Sequence, residues 1–251
     1  MRLDKYLSEK YGSRAKAATA IKSGLVLVNG KICACSYEVK QTDKIEFLQA
    51  EESFVSAGGF KLSKALKDFG FNVAEKIFAD VGASNGGFTD CLFQNGAQKV
   101  YCIDVGESQL DKSLLDKNVV VIDNFNARNL NKNLFSEKLD GVVIDVSFIS
   151  LTYVLEAVSS LLDSGANIIA LIKPQFECET RNVGKNGIVK DSDTHKRIIE
   201  KICNFAEGGK LAPKKLTNAP IIAGKNIEYL VLLEKGGTAE NIKYLIKSVK
   251  L

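Results

Sequence analysis

The residues with chemistry in them begin with a glycine loop, Asp80-Val81-Gly82-Ala83-Ser84-Asn85-Gly86-Gly87-Phe88. It follows an apolar run that reads as a strand and opens a run that reads as a helix. Glycines at such a turn let a ligand approach the backbone closely, and a helix start offers free N–H groups. The G-x-x-x-G-G spacing fails the G-x-G-x-x-G template of a pyrophosphate cradle, and no G-x-x-x-x-G-K-[ST] occurs. Around the loop stand carboxylates at successive strand ends: Asp80, Asp104, Asp123 and Asp145. A carboxylate after the second strand can accept two hydrogen bonds from ribose hydroxyls, and one after the third can meet an adenine. Open α/β sheets bind ligands at this carboxyl edge, and buried acids without a partner are costly. The pattern points to a cofactor site.

A second set, Lys61, Asp145, Lys173 and Glu228, also falls at predicted element ends. A sugar hydroxyl is a weak acid and a poor nucleophile until deprotonated. A lysine whose pKa is pushed down by burial and a second cation could take that proton, while neighbouring carboxylates orient it and limit the shift. A serine-hydrolase triad would have to use the single histidine, His195, and no G-x-S-x-G precedes a helix. The six cysteines form no Cys-x-x-Cys, which argues against a structural metal. Cys33 and Cys35 are expected as buried thiols on one strand face.

The elements that must position these groups alternate strand and helix from residue 54 onward, the pattern of a doubly wound parallel sheet. Strands are predicted over 77–82, 99–103, 119–122, 141–146, 167–172, 216–221 and 228–233, giving seven. Helices are predicted over 60–69, 88–95, 151–162 and 238–249. Residues 49–53 are polar and aperiodic, so a linker is placed there, between a unit over 1–48 and one over 54–251. In the first unit Leu3, Tyr6 and Leu7 form a helical stripe. Ser13 can cap a second helix that stops at Gly24, and Asn29-Gly30 marks a tight hairpin turn, with a further strand over 45–47. So short a unit has a marginal core and must lean on its neighbour or its ligand.

Charge separates the two units. Residues 1–48 hold nine Lys/Arg against five Asp/Glu, which equals the net +4 of the whole 251-residue chain. A basic front unit beside a neutral body is the electrostatic footprint of nucleic-acid binding. The composition, 45% hydrophobic and 25% charged, excludes wholesale disorder. No apolar stretch is long enough to span a membrane, and Met1 to Lys10 lacks the apolar core of a signal peptide, so a cytoplasmic protein is expected.

The front unit resembles the S4 RNA-binding domain through Arg2-Leu3-Asp4-Lys5-Tyr6-Leu7, Ser13-Arg14-Ala15-Lys16-Ala17 and Gly24-Leu25-Val26-Leu27-Val28-Asn29-Gly30-Lys31. That resemblance implies RNA contacts at Arg2, Arg14, Lys16, Lys22 and Lys31. The D-x-G-x-x-x-G-G loop resembles the S-adenosylmethionine (SAM) loop of class I methyltransferases, whose sulfonium nucleoside needs no phosphate cradle. It implies Asp80, Gly82, Ser84, Gly86 and Phe88 at the methionine end, Asp104 on ribose, Asp123 on adenine and Asp145 beside the cofactor. Amino-methyltransferases carry Asn/Asp-Pro-Pro-aromatic where this chain has Asp145-Val146-Ser147-Phe148, and nothing around Cys178 resembles a cytosine C5 enzyme.

Residues 1–234 as a whole resemble the TlyA family, an S4 domain fused to a methyltransferase akin to the FtsJ/RrmJ ribose 2′-O-methyltransferases. The blocks are Ser56-Ala57-Gly58-Gly59-Phe60-Lys61-Leu62, the glycine loop, Asn126-Ala127-Arg128, Asp145-Val146-Ser147-Phe148-Ile149-Ser150, Lys173-Pro174-Gln175-Phe176-Glu177 and Val183-Gly184-Lys185-Asn186-Gly187. The resemblance implies a Rossmann-like α/β fold and a catalytic tetrad of Lys61, Asp145, Lys173 and Glu228. It also implies SAM as cofactor and 2′-O-methylation of a cytidine in ribosomal RNA, by short members in the large subunit only. The partner is then ribosomal RNA or a ribosomal subunit, with no metal and no membrane; oligomeric state stays open. Ala57 stands where the family usually has arginine, and Asp123 where glutamate is commoner. Two other functions compete: a ribosome-assembly factor without catalysis, and a membrane-active haemolysin, for which residues 242–251 are the one amphipathic candidate.

Overall fold

A computed structural model describes residues 1–22, 24–47, 53–107, 109–222 and 224–251, the Lys185 side chain excepted. In the front unit, α1 (Leu3–Tyr6) and α2 (Arg14–Lys22) pack beside a small antiparallel sheet of β1 (Val26–Val28), β2 (Lys31–Ile32) and β3 (Ile45–Phe47), ordered β2-β1-β3. The Ser13 hydroxyl accepts the Lys16 N–H at 3.1 Å, capping α2, whose Ala17, Ala20 and Ile21 are buried. Asn29 and Gly30 both take left-handed backbone, φ 53° and 74°, as a two-residue hairpin turn requires. Leu3, Leu7, Ile21 and Leu25 share one apolar cluster with Phe54, Phe60 and Leu62 of the following unit, so the small core is completed by its neighbour. Cys33 and Cys35 differ from expectation. β2 ends at Ile32, so they lie beyond the strand and are half-buried, with Cys35 Sγ 3.6 Å from the Ala18 carbonyl.

The larger unit has α3 (Ala57–Phe69), β4 (Ile77–Val81), α4 (Gly87–Gln94), β5 (Lys99–Ile103), β6 (Val119–Ile122), β7 (Gly141–Ile144), α5 (Leu151–Leu161), β8 (Asn167–Ile172), α6 (Pro174–Glu177), α7 (Ser192–Gly208), β9 (Leu211–Asn218), β10 (Tyr229–Lys235) and α8 (Ile242–Lys247). Its seven strands run β6-β5-β4-β7-β8-β10-β9, parallel except that β10 is antiparallel to both neighbours. Alternate strand residues feed two apolar layers. Val100, Cys102, Val143 and Ile169 face α3 and α4, whereas Tyr101, Ile103, Val142 and Ile168 face α5 and α7. The strand order turns back between β4 and β7, with β5 and β6 beyond one and β8 beyond the other, which opens a crevice at the carboxyl edge.

Several elements depart from the sequence-based expectation: α6 has no counterpart in it, and α3 starts at Ala57 rather than 60. α7 was not anticipated, although Ile198, Ile199, Ile202, Cys203 and Ala206 make a buried helical stripe and Asp191 caps it by accepting the Thr194 N–H at 2.8 Å. β9 begins at Leu211 rather than 216, because Pro213 is tolerated on an edge strand beside a register shift at Leu232/Leu233. The terminal helix starts at Ile242 rather than 238, capped by Asn241, and buries Leu245 and Ile246 in the core of its own unit. That apolar face is therefore already covered. The expected linker over 49–53 falls almost entirely on residues 48–52, which lie outside the described residues.

Candidate active site

At the turn from β4 to α4, Gly82 has φ +86°, and a Cβ there would sit 2.6 Å from the Asp145 carbonyl oxygen. Only glycine lets the loop pass so close to the end of β7. The Ser84 N–H donates to Asp104 Oδ2 at 2.8 Å and the Gly106 N–H to Oδ1 at 3.1 Å. Asp104 is thereby fixed at the rim with lone pairs to spare. Asp80, by contrast, is fully buried behind the loop, where its Oδ2 accepts the Thr89 N–H at 3.0 Å and the Thr89 hydroxyl at 2.7 Å. Burial pushes its carboxyl up to about 7, with Asp145 and Asp104 adding to the rise against the lowering bonds from Thr89.

A cleft of about 640 Å³ opens in front of the loop, walled by Gly82, Ser84, Asp104, Arg128, Asp145 and Phe148. It continues into a recess of about 170 Å³ that reaches Gly58, Phe88, Ser147 and Lys173. Gly86, φ +85°, starts α4 behind this recess, its α-carbon face against Leu110 and Leu114. Asp123 does not line the cleft. Asn124 turns through left-handed backbone, φ 53°, and the Phe125 N–H donates to the Asp104 carbonyl at 2.9 Å, so Phe125, Asn126 and Arg128 face the cleft instead. Arg128 lies over the Tyr153 ring at 4.5 Å, and Val105, 73% exposed, adds an apolar rim.

The second set converges. Lys61 Nζ donates to Glu228 Oε2 at 2.7 Å, and Lys173 Nζ lies 2.5 Å from Asp145 Oδ1 while donating to Ser147 Oγ at 2.7 Å. The Lys173–Asp145 approach is off the line of a hydrogen bond, so Asp145 Oδ1 keeps an unused lone pair. Burial alone would push Lys61 down, yet Asp145 and Glu228 outweigh it and hold the ammonium above the usual lysine range. Lys61 is therefore a fixed positive donor rather than an amine tuned to lose its proton.

Sequence reasoning missed three neighbours. Ser147 accepts from Lys173, and Gln175 Nε2 donates to Glu228 Oε1 at 3.2 Å. Phe148 is 90% exposed at the cleft mouth, with φ +63° and its ring tilted on Phe176 at 5.0 Å. A bulky residue exposed in left-handed backbone is a signal visible only in three dimensions.

The donor set also says what the cleft can hold. Asp145 Oδ1 is buried without a hydrogen-bond partner, and Asp104 stands at the rim. A pyrophosphate would be repelled by these carboxylates, whereas a cationic nucleoside carrying vicinal hydroxyls matches them. Among the described residues, no group of three or more His, Cys, Asp or Glu side chains could hold a metal ion, and no helix is long and apolar enough to cross a membrane. His195 is a core residue, its ring nitrogens 3.1 Å from the Val189 carbonyl and 2.8 Å from the Tyr229 hydroxyl.

On the front unit Arg2 and Arg14 both donate to Asp4, at 2.9 and 3.1 Å. The Arg2 bonds foremost, with Arg14, hold that carboxyl down to about 2. Both guanidinium groups stay half-exposed, held in one orientation by the shared carboxylate. Lys22 and Lys31 are exposed, and Lys16 is half-buried on α2 within electrostatic reach of Asp111.

Both units have counterparts among known proteins. Residues 1–45 match the S4 domain and residues 54–235 the FtsJ-like methyltransferase family. The chain is 44% identical to Hemolysin A of Brachyspira hyodysenteriae, covering 92% of this chain and 98% of that one. It is 37% identical to the 16S/23S rRNA (cytidine-2′-O)-methyltransferase TlyA of Mycobacterium tuberculosis, covering 88% and 84%. A solved hemolysin-named structure from Streptococcus thermophilus superposes with a TM-score of 0.75 at 35% identity, covering 98% and 94%. The chain belongs to the TlyA family, an S4 domain followed by an FtsJ-like methyltransferase domain.

Proposed function

We propose that this protein methylates the 2′-hydroxyl of a cytidine ribose in ribosomal RNA, in the 23S RNA of the large subunit, with SAM as donor. The observation that carries this reading is the row of two lysine–carboxylate pairs: Lys173–Asp145 in the recess of the cleft, and Lys61–Glu228 next to it in an adjoining groove. The name of the tuberculosis relative supports cytidine 2′-O as the position, and the S4 domain supports RNA as the substrate. The name of the same relative includes 23S RNA, which supports the large subunit.

Asp104 would hold the ribose of SAM by two hydroxyls, the apolar wall at Val105 and Phe125 its adenine, and the recess at Gly58 and Ser84 its methionine end. When bound, SAM supplies an electrophilic methyl group on a sulfonium. Lys61, fixed by Glu228, donates a hydrogen bond to the 2′-oxygen and orients it. Lys173 Nζ, positioned by Asp145 and Ser147, receives the hydroxyl proton in its neutral amine form and leaves as the ammonium paired with Asp145. Alignment of this kind can contribute about 7–11 kcal/mol to the rate. Arg2, Arg14, Lys16, Lys22 and Lys31 contact phosphates, which positions the RNA without reading its sequence. Mapping ribose methylation on 16S and 23S RNA from strains with and without the gene tests this directly. One cytidine in 23S RNA that loses its methyl group supports the proposal, and unchanged maps refute it. An assembly factor without catalysis would leave no methyl group missing.

A further inference from the structure

The four residues of the catalytic row divide between two cavities. Asp145 and Lys173 line the recess of the cofactor cleft, whereas Lys61 and Glu228 line a separate groove of about 520 Å³. One wall of that groove is the end of α2, carrying Lys22; the other is the connection from β9 to β10, carrying Ile222 and Lys225. Ile222 is also the residue nearest to Gly24, 3.1 Å from the place a Cβ would take, so the front unit packs directly on this connection. Ala57, at the start of α3, lines the same groove.

Two observations say what the groove takes. Lys22 and Lys225 both line it, are exposed and form no ion pair with any described residue, so the groove carries two uncompensated cations. The cofactor cleft instead sets Arg128 against Asp104 and Asp145, so it carries no such surplus of positive charge. A strand bearing both phosphates and a reactive hydroxyl therefore reaches Lys61 from the groove side, and the sulfonium reaches the row from the other. We infer that the groove seats the nucleotide next to the methylated one, its phosphodiester between Lys22 and Lys225 and its base against Ile222 and Ala57. This inference rests on the reading that the acceptor is a ribose in RNA. It makes Lys225, outside the S4 domain, an RNA contact, and it makes the junction of the two units part of the substrate site.

The experiment uses the full-length protein, tritiated SAM and large ribosomal subunits that lack the methyl group. Lys225→Ala removes one cation. Ala57→Glu adds a carboxylate to the groove at an exposed first helical position, where an acid suits the helix N-terminus and folding is retained. Each variant is expected to raise KM for subunits about tenfold with kcat within about twofold, the signature of lost uniform binding. For Lys225→Ala the salt dependence of log KM should fall by about 0.7 per phosphate released. Lys243→Ala, outside the groove, should leave KM at the wild-type value. Wild-type KM and salt slope in both groove variants would overturn the inference while leaving the methyltransferase reading intact. A wild-type protein that transfers no methyl group to ribosomal RNA would overturn both.

Discussion

Glu177 Oε1 accepts the Leu151 backbone N–H at 2.6 Å, which ties the segment after β8, carrying Lys173, to the segment after β7, carrying Asp145. Oε2 of the same carboxylate accepts the Ser150 hydroxyl at 2.7 Å and Lys201 Nζ at 3.1 Å, and Phe148 leans on Phe176 across the same gap. Glu177→Ala leaves a helix N-terminus and a lysine without their partner. It should lower stability by about 2–3 kcal/mol, seen in chemical denaturation, and lower kcat with it. A variant with unchanged stability and kcat would show that the two segments are held by other contacts.

Lys173→Ala should reduce kcat for methyl transfer by about 10²–10⁴-fold, the usual contribution of a positioned proton acceptor. SAM should still bind, because Asp104 and the glycine loop are untouched. Calorimetry and a single-turnover assay separate the two effects. Full activity in Lys173→Ala would remove it from the proton's path.

Phe148→Gly should relieve left-handed strain and stabilise the fold by about 1 kcal/mol or leave it unchanged. Methyl transfer should nonetheless fall, since an exposed aromatic at the cleft mouth is placed to stack on a base drawn out of its helix. Denaturation midpoints and kcat/KM check the two halves. A parallel loss of stability and activity would make Phe148 a structural residue.

Asp80 gives a pH signature. Its carboxyl is raised from the ordinary aspartate value to about 7 in the fold, so the neutral form is favoured there. Its contribution to stability is full below pH ~4 and is lost as pH rises through about 7, by roughly 4 kcal/mol at most. Asp80→Asn cannot ionise. Its stability relative to wild type should therefore increase between pH 4 and pH 8, measured by urea denaturation at each pH. A difference that stays constant would show that Asp80 ionises as readily in the fold as in the unfolded chain.

Much of this was legible in the residue pattern because it follows from periodicity and turn chemistry. The strands over 99–103, 119–122 and 167–172 fall where their β-branched runs place them, and Asn29-Gly30 and Gly70 turn the chain as their backbone freedom allows. Asp145, Lys173 and Glu228 flank strands of one sheet, Lys61 joins them from the early turns of α3, and it was the family resemblance that grouped the four in the sequence. What stayed hidden depends on loop conformation. Asn124 and Phe148 enter left-handed backbone and redirect the chain, which brings Phe125 and Arg128 rather than Asp123 to the cleft and exposes the Phe148 ring. Gln175 and Ser147 belong to loops without a period, and their partners are set by tertiary packing. Asp80, by its type, suggested a ligand contact, but its register position turns it toward Thr89 in the core.

In the proposed reaction the row from Lys61 to Asp145 aligns and deprotonates a ribose hydroxyl that takes the methyl group of SAM. The most direct measurement incubates the purified protein with isotopically labelled SAM and unmethylated large subunits, then digests the RNA to nucleosides for mass spectrometry. The predicted result is labelled 2′-O-methylcytidine from wild type and none from Lys173→Ala. Label on a nucleobase, or no label in the RNA at all, would contradict it.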